Sequence, residues 1–253
     1  MSKKNVFRQR TYADYALLDA AQDNLERRHQ EAITAAALLR RIRKWIPESR
    51  NIRWLDVGCG KGNLLEALAA AGYQDLHGVD ISPSQTRIAS KRFSQVVCVD
   101  AREYLDQKHA CFDVISAIDV IEHFDRDEVF EFLDLAKKAL RPGGLLFLQT
   151  PNAMSPFFGS VRYGDPTHEL AFTPTSLSGI LRISGFSDCE VLECAPYVHG
   201  VASAARWLVW QLLKLALALV NLVETGSPGE GAWTRVFLLM ARKTADQPPG
   251  ANR

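Results

Sequence analysis

Apolar positions along the chain alternate between two rhythms. Ile52–Val57, Asp75–Asp80, Val96–Val99, Phe112–Ala117 and Leu145–Thr150 are short runs bounded by glycine, proline or acids, as buried strands are. Between them the spacing turns helical: over Asn63–Ala71, closed by Gly72; after Ser82-Pro83; and over Asp127–Leu140, stopped by Arg141-Pro142-Gly143-Gly144. Strand–helix alternation predicts an α/β fold with a doubly wound, mostly parallel sheet. Ahead of it, residues 11–46 are rich in alanine, leucine and arginine and read as helical up to Pro47.

After Thr150 the rhythm breaks. Residues 151–174 hold Pro151, Pro156, Pro166 and Pro174 and predict a loop, followed by a helix Leu177–Ser184 ended by Gly185 and a strand Cys189–Cys194. A long apolar helix covers 201–223, a Gly/Ser/Pro segment 225–231, and a last apolar strand Thr234–Ala241. The predicted organisation is a helical arm at 1–50, a central α/β unit at 51–195, an apolar helical insertion at 196–232, a last sheet strand at 233–243 and a polar, disordered tail at 244–253.

The chemistry concentrates where the first strand ends. Trp54-Leu55-Asp56-Val57-Gly58-Cys59-Gly60-Lys61-Gly62-Asn63 is a buried strand, a glycine-rich turn and a helix start. Gly58 and Gly60 permit backbone angles closed to other residues and let a ligand approach the main chain, and the helix aims its N-terminus at it. An acid stands directly before the glycines, so a cationic or zwitterionic ligand fits better than a diphosphate. Asp80 ends the second strand in Gly78-Val79-Asp80-Ile81-Ser82, at a spacing where an acid can take ribose hydroxyls. Asp100 ends the third in Val99-Asp100-Ala101, where a carboxylate can take an adenine amino group. Any one of these acids could be no more than a helix cap. Three at successive strand ends point to the ligand crevice of an open α/β sheet.

Leu55-Asp56-Val57-Gly58-Cys59-Gly60-Lys61-Gly62, Gly78–Ser82, Val99–Ala101, Phe112–Phe124 and Leu140–Asn152 resemble, in order, the motifs of class I S-adenosylmethionine (SAM)-dependent methyltransferases. The likeness covers about residues 50–195. It implies a Rossmann-like fold with seven strands, the last antiparallel, for which Thr234–Ala241 is the natural candidate. It implies SAM as cofactor, with Asp56, Gly58, Cys59 and Gly60 along its methionine portion. Asp80 and Ile81 would lie at the ribose, Asp100 and Ala101 at the adenine, and Ile118 and Asp119 beside the amino-acid end.

Methyl transfer to a hydroxyl also needs a base or a metal on the acceptor side. Two strings can supply one: Asp119-Val120-Ile121-Glu122-His123 and Asp165-Pro166-Thr167-His168-Glu169. Their ordinary roles are helix capping and loop anchoring. The catalytic alternative makes His168 a general base, with Asp165 and His123 in support. By resemblance to small-RNA 3′-terminal methyltransferases, and in part to ubiquinone-pathway O-methyltransferases, Asp119, Glu122, His123 and His168 would instead hold magnesium or manganese. The first of these positions is typically Glu there and is Asp119 here. Thr167–Leu177, running on to Gly185-Phe186, resembles both methyltransferases of bacterial glycan, O-antigen and lipid-linked sugar assembly and the ubiquinone-type O-methyltransferases. The main reading is therefore methylation of a sugar or glycan hydroxyl, lipid-linked in one version. A polyprenyl phenol of the quinone type is the alternative acceptor. RNA methylation and a non-catalytic SAM-binding protein rank below both.

Composition narrows these classes. The 253 residues are 47% hydrophobic and 23% charged, the balance of a folded domain, and a net charge of +1 gives no broad basic surface for nucleic acid. Five cysteines without a CxxC pair argue against a disulfide framework or a zinc site. No apolar leader follows Met1, so the cytoplasm is the predicted compartment. Basic residues cluster at Lys3, Lys4, Arg8 and Arg10 and again at Arg40, Arg41, Arg43 and Lys44. On a helical wheel, 201–223 puts Ser203, Arg206, Gln211, Lys214 and Asn221 on one side, with Leu, Val and Ala over the opposite arc. A membrane span is excluded because the last strand must return to the sheet. The arc then faces the protein core, a second copy in a homodimer, or the interface of the membrane's inner face.

Overall fold

A computed structural model describes residues 10–11 and 35–244. The expected helical arm over 1–34 and the expected tail over 245–253 fall outside the described residues, apart from helical Arg10 and Thr11. Residues 35–42 are helical and stop short of Pro47.

The chain then builds β1 (Arg53–Val57), α1 (Asn63–Ala70), β2 (Asp75–Asp80), α2 (Pro83–Ala89), β3 (Val96–Cys98), α3 (Ala101–Asp106) and β4 (Phe112–Ile118). A 3₁₀ turn at Ile121–His123 leads to α4 (Arg126–Ala139), β5 (Leu140–Pro151), α5 (Phe158–Arg162), α6 (Pro174–Ile183), β6 (Phe186–Glu193), α7 (Val201–Thr225) and β7 (Val236–Lys243). The strands form one seven-stranded sheet in the order β3-β2-β1-β4-β5-β7-β6, with β7 antiparallel to both neighbours. The carboxyl ends of β1, β2, β4, β5 and β6 therefore share one edge.

Both faces of the central strands are covered, so they read as continuous apolar runs rather than alternating ones. Along β5, Leu146 and Leu148 enter the layer under α4 and α6, with Phe132, Leu133, Leu177 and Leu181. Leu145 and Phe147 enter the opposite layer with Trp54, Leu65, Leu68 and Ile42. There Trp54 stacks on Phe147 at 6.0 Å between ring centroids and meets Tyr73 edge-on at 5.8 Å. Two capping boxes set helix starts. Asp125 and Glu128 open α4, and Thr173 and Ser176, with Pro174 in the first turn, open α6.

Several boundaries differ from the sequence expectation, each for a local reason. Asp100 nucleates α3, which apolar spacing does not signal, by accepting the Arg102 N–H at 2.8 Å. The proline-rich stretch 151–174 contains α5. Arg141–Gly144 stops a helix as expected but continues as strand: β4 pairs Phe112 with Leu140 and Val114 with Leu145, and the intervening residues bulge. Gly143 supplies φ 76°, and a Cβ on Gly144 would meet the Asp113 carbonyl oxygen at 3.1 Å. β6 begins at Phe186 through a second register shift between Ser187 and Glu190. β7 runs to Lys243, whose amine donates to the Leu140 carbonyl at 2.9 Å, so a scan for apolar residues ends it too early.

The arrangement of α7 decides one question the sequence leaves open. Its only buried residue is Ser203, and Val201, Leu208, Leu212, Leu215, Leu219 and Val223 face outward. Of the three faces open to its arc, the described residues do not supply the core one. Ser203, Gln211, Lys214 and Asn221 are turned to the protein, and Arg206 is exposed.

Candidate active site

Three turns meet at the carboxyl edge of the sheet, where open α/β sheets place a ligand cleft. The first is the glycine loop after β1. Gly58 has φ 68°, and a Cβ there would lie 2.4 Å from Val120 Cγ2, so the loop is pressed against the chain leaving β4. Gly60 has φ 52°, and a Cβ there would meet nothing nearer than Gln85 Oε1 at 3.9 Å. The backbone around Gly60 is thus open to a ligand. Asp80, at the end of β2, accepts the N–H groups of Gly60 at 2.9 Å and Ser82 at 2.8 Å, locking the first loop to the second. Burial raises the Asp80 carboxyl, and those two hydrogen bonds oppose the rise. Ile81 is half exposed beside it, and Cys59 is buried with its thiol pushed up by burial.

Asp56 points into the sheet rather than into open solvent. Ser116 Oγ takes the Trp54 indole N–H at 2.9 Å and donates to Asp56 Oδ1 at 2.7 Å. Burial pushes the Asp56 carboxyl up to about 7 despite that bond. Asp100 shows the helix-cap role: besides capping α3 it takes the Arg102 guanidinium at 3.3 Å, and Arg102 also pairs with Glu128 and Glu131. Ala101 is the first residue of α3.

The acceptor side is built from the end of β4 and the loop after β5. Ile118 closes β4, and Asp119 follows with φ 54°, in the left-handed region that non-glycine residues rarely occupy. Gln149 Nε2 donates to both Asp119 oxygens at 3.2 and 3.1 Å, and burial raises the Asp119 carboxyl. Glu122 is fully buried in the 3₁₀ turn. Its backbone oxygen accepts the N–H groups of Glu169 and Leu170 at 2.8 and 3.0 Å, which docks the 165–170 loop on the turn. Thr150 Oγ1 donates to Glu122 Oε2 at 3.1 Å. Burial, with Asp119 nearby, raises the Glu122 carboxyl well above the usual range.

That docking brings His168 and His123 together, with ring centroids 4.8 Å apart. Thr167 Oγ1 lies 2.6 Å from Asp165 Oδ1 and 2.9 Å from His123 Nδ1. A hydroxyl has one hydrogen to give. Donated to Asp165, it leaves the oxygen to accept His123 Nδ1–H, which puts the ring's lone pair on Nε2. His168 Nε2 lies 3.9 Å from Glu122 Oε1. Among the described residues, Glu122 Oε1 and His168 Nδ1 are buried without a hydrogen-bond partner. One ligand atom each from Glu122, His123 and His168 lies within 4.8 Å of the others.

Of the four ligands implied for a metal, three therefore converge. Asp119 stands apart, because its short side chain, on a turn of unusual φ, is held by Gln149. Sequence reasoning passed over Gln149, Thr150, Ser116 and Thr167, which position the acids and the imidazoles. The available signal was polar side chains inside otherwise apolar strands, as in Leu148-Gln149-Thr150.

A glycine loop locked by the acid of the next strand, under a sheet with its last strand reversed, is the architecture of class I SAM-dependent methyltransferases. One solved structure of that kind, a SAM-dependent methyltransferase from Archaeoglobus fulgidus, superposes with a TM-score of 0.64 at 24% identity, over 84% of this chain and 94% of that one. At that identity it speaks for the fold. Residues 25–191 match the model of a methyltransferase-domain family, and the chain belongs to that family. Curated relatives include a ubiquinone biosynthesis O-methyltransferase of Idiomarina loihiensis, 29% identical over 54% of this chain and 62% of that protein. The mitochondrial protein of that name from Mus musculus is 33% identical over 53% of this chain and 40% of its own length. The chain thus spans about half the length of the curated relatives it matches.

Proposed function

We propose that this chain transfers the methyl group of SAM to a hydroxyl oxygen, with a polyprenyl phenol of the quinone type as acceptor. The observation that carries the hydroxyl reading is the group Glu122, His123 and His168 beside the cofactor loop, with two buried polar atoms left without partners. A hydroxyl attacks a sulfonium methyl poorly until its proton is lost or its charge is stabilised. Of the two acceptors that the sequence leaves open, the ubiquinone-pathway relatives favour the phenol over the sugar.

SAM, when bound, supplies the electrophilic methyl on its sulfonium. Gly58, Gly60, Asp80 and Ile81 line its place, and Asp80 presents its remaining lone pairs to the ribose. Glu122 Oε1, which has no hydrogen-bond partner among the described residues, and His168 Nε2, 3.9 Å from it, fit a divalent cation, magnesium or manganese, held by Glu122, His123 and His168. Such an ion would act as a Lewis acid toward the acceptor oxygen. The Asp165–Thr167–His123 chain fixes the His123 tautomer with Nε2 as donor atom, a common outer-shell device. The second reading uses His168 alone. Its Nε2–H faces the Glu122 carboxylate, and Nδ1 takes the acceptor proton as the oxygen bonds to the methyl carbon and the carbon–sulfur bond breaks. Included in the proposal is a cytoplasmic chain peripheral to the membrane's inner face, supported by the outward arc of α7.

The test is methyl transfer from labelled SAM to a prenylated catechol and, in parallel, to a lipid-linked glycan. Transfer to the catechol supports the proposal. Transfer to the glycan alone replaces the acceptor, and an inert chain that still binds SAM overturns the catalytic reading.

A further inference from the structure

The polarity of α7 is reversed relative to a surface helix of a soluble protein. Such a helix turns its apolar stripe to the core. Here the inward side holds Ser203, Trp210, Gln211, Lys214 and Asn221, with Ala204, Leu217 and Ala218 between them. Lys214 Nζ donates to Glu193 Oε2 at 2.7 Å, and the Trp210 indole N–H to Glu193 Oε1 at 3.2 Å. Ser203 Oγ accepts the His199 and Gly200 N–H groups at 2.8 and 2.9 Å. Asn221 Nδ2 donates to the Ser227 carbonyl at 2.8 Å. Glu193 thus fastens the middle of the helix to the sheet, and Ser203 and Asn221 close its two ends on the adjoining chain, while its leucine and valine arc faces away, with Val201 90% and Val223 80% exposed. A soluble monomer rarely leaves so long a contiguous apolar surface uncovered.

We infer that α7 is the membrane-docking face of this protein. It lies flat in the interfacial layer of an anionic bilayer and presents the acceptor side of the cleft to the lipid. The inference rests on the proposed amphiphilic acceptor for its role, though not for its physical basis. A span is excluded by connectivity: β6 and β7, on either side of α7, pair through Glu193 and Phe237, and Glu193 also holds the helix at its middle.

Charge selects lipid over a second copy. No Asp or Glu occurs from Pro196 to Val223. Arg206 is exposed on the helix, Arg40 lies over the Tyr197 ring at 5.1 Å, and Arg41 donates to the Ala195 carbonyl, so the run entering α7 is flanked by cations. A twofold copy packed through the run entering α7 would bring these cations together, since the next acid, Glu224, lies at the far end of the helix, whereas anionic headgroups neutralise them. Trp207 and Tyr197 are half exposed, as aromatic anchors at a lipid–water boundary are. A shallow depression of about 310 Å³, lined by Pro196, Ala205, Arg206, Val209, Trp210 and Leu213, offers a hydrocarbon chain a nearly continuous apolar wall. One residue past Glu193, the Cys194 thiol lies 3.8 Å from Gln149 Oε1, the amide whose nitrogen holds Asp119. The strand end that holds the middle of α7 thus also touches the amide that holds Asp119.

The experiment is co-sedimentation of the full chain with vesicles of phosphatidylcholine alone and with added phosphatidylglycerol. Pelleting with the anionic vesicles, and far less with neutral ones, is expected. Leu212→Glu with Leu219→Glu should abolish it while leaving SAM binding by calorimetry unchanged. Arg40→Gln with Arg206→Gln, which leaves the arc intact, should weaken it about fivefold per residue. Wild type that stays in the supernatant overturns the inference. So does a leucine variant that still pellets, or one that loses SAM binding, since an outward arc has no part in holding the fold. A salt-insensitive dimer dissociated by the leucine changes assigns the arc to a second copy instead. None of these readouts uses an acceptor, so failure here leaves hydroxyl methylation standing. An inert enzyme that binds vesicles overturns only the proposed function.

Discussion

The two halves of the cleft handle their buried polar groups in opposite ways. On the cofactor side, the hydrogen bonds of the acids are made within the protein: Asp80 to Gly60 and Ser82, Asp56 to Ser116. On the acceptor side, Glu122 Oε1 and His168 Nδ1 are buried and unsatisfied. An unmade buried hydrogen bond costs about 1–3 kcal/mol, so proteins keep few of them. The glycine-loop half is therefore pre-organised, whereas the Glu122–His168 half leaves two buried polar atoms open to a partner.

The largest effect expected from breaking this contrast lies in the glycine loop. Gly58→Ala combines a positive φ with a Cβ driven into Val120. Strain and overpacking of a few kcal/mol should lower SAM affinity about a thousandfold, measured by calorimetry on protein shown to be folded by circular dichroism. Unchanged affinity would mean that the loop is not pre-organised.

Next come the unsatisfied atoms. His168→Ala should cut turnover about a hundredfold and leave SAM affinity alone. If a cation completes the site, chelation should have a similar effect, and magnesium or manganese should restore activity. Turnover indifferent to chelator but lost in His168→Ala selects the base mechanism. Turnover indifferent to both removes His168 from the chemistry.

A smaller effect concerns pH. The folded Asp56 carboxyl, at about 7, lies above the unfolded value of about 3.9. The native state therefore holds the extra proton between those values. Its stability falls as pH rises through that window, by about 4 kcal/mol at most for this group. The thermal midpoint of ligand-free protein should drop between pH 5 and pH 7.5, and Asp56→Asn should flatten the drop. Equal slopes would show that the Asp56 charge is not the one being suppressed.

The smallest effect provides a structural baseline. Asp125→Ala removes the capping box of α4, whose bonds run to Asp127 and Glu128 and not to the unsatisfied atoms. It should cost about 1 kcal/mol, or about 2–4 °C in midpoint, with SAM affinity and turnover unchanged. A loss of turnover there would mean that α4 transmits strain to the site.

Much of this was legible in the chain. The bounds of β2 match the apolar run, and the glycine loop, the strand alternation and the acids at the strand ends could be read because each is a local pattern of spacing and steric need. The reversed last strand came from family resemblance. Other features failed for identifiable reasons. Nothing in the periodicity marks α3, whose start depends on one carboxylate–amide bond. Asp100 reads equally well as ligand or cap, and the cap is seen only in its bonds to Arg102. Asp119 sits one turn from Glu122 in sequence, yet Gln149, from a neighbouring strand, holds it out of the cluster.

The sequence by itself determined where the strands would lie to within a few residues, which loop would need glycine, and that 201–223 would be a helix with one polar side. Steric limits on glycine, the period of apolar burial and the reach of one turn operate over a few residues, so no partner is needed to read them. Only the tertiary structure decided that His123, Glu122 and His168 meet, because the 165–170 loop first has to dock on the Glu122 carbonyl. It alone decided that α7 turns its polar side inward. The helical wheel gives the arc but not its direction, and the direction follows from Glu193, a carboxylate placed under Trp210 and Lys214 only once β6 has joined the sheet.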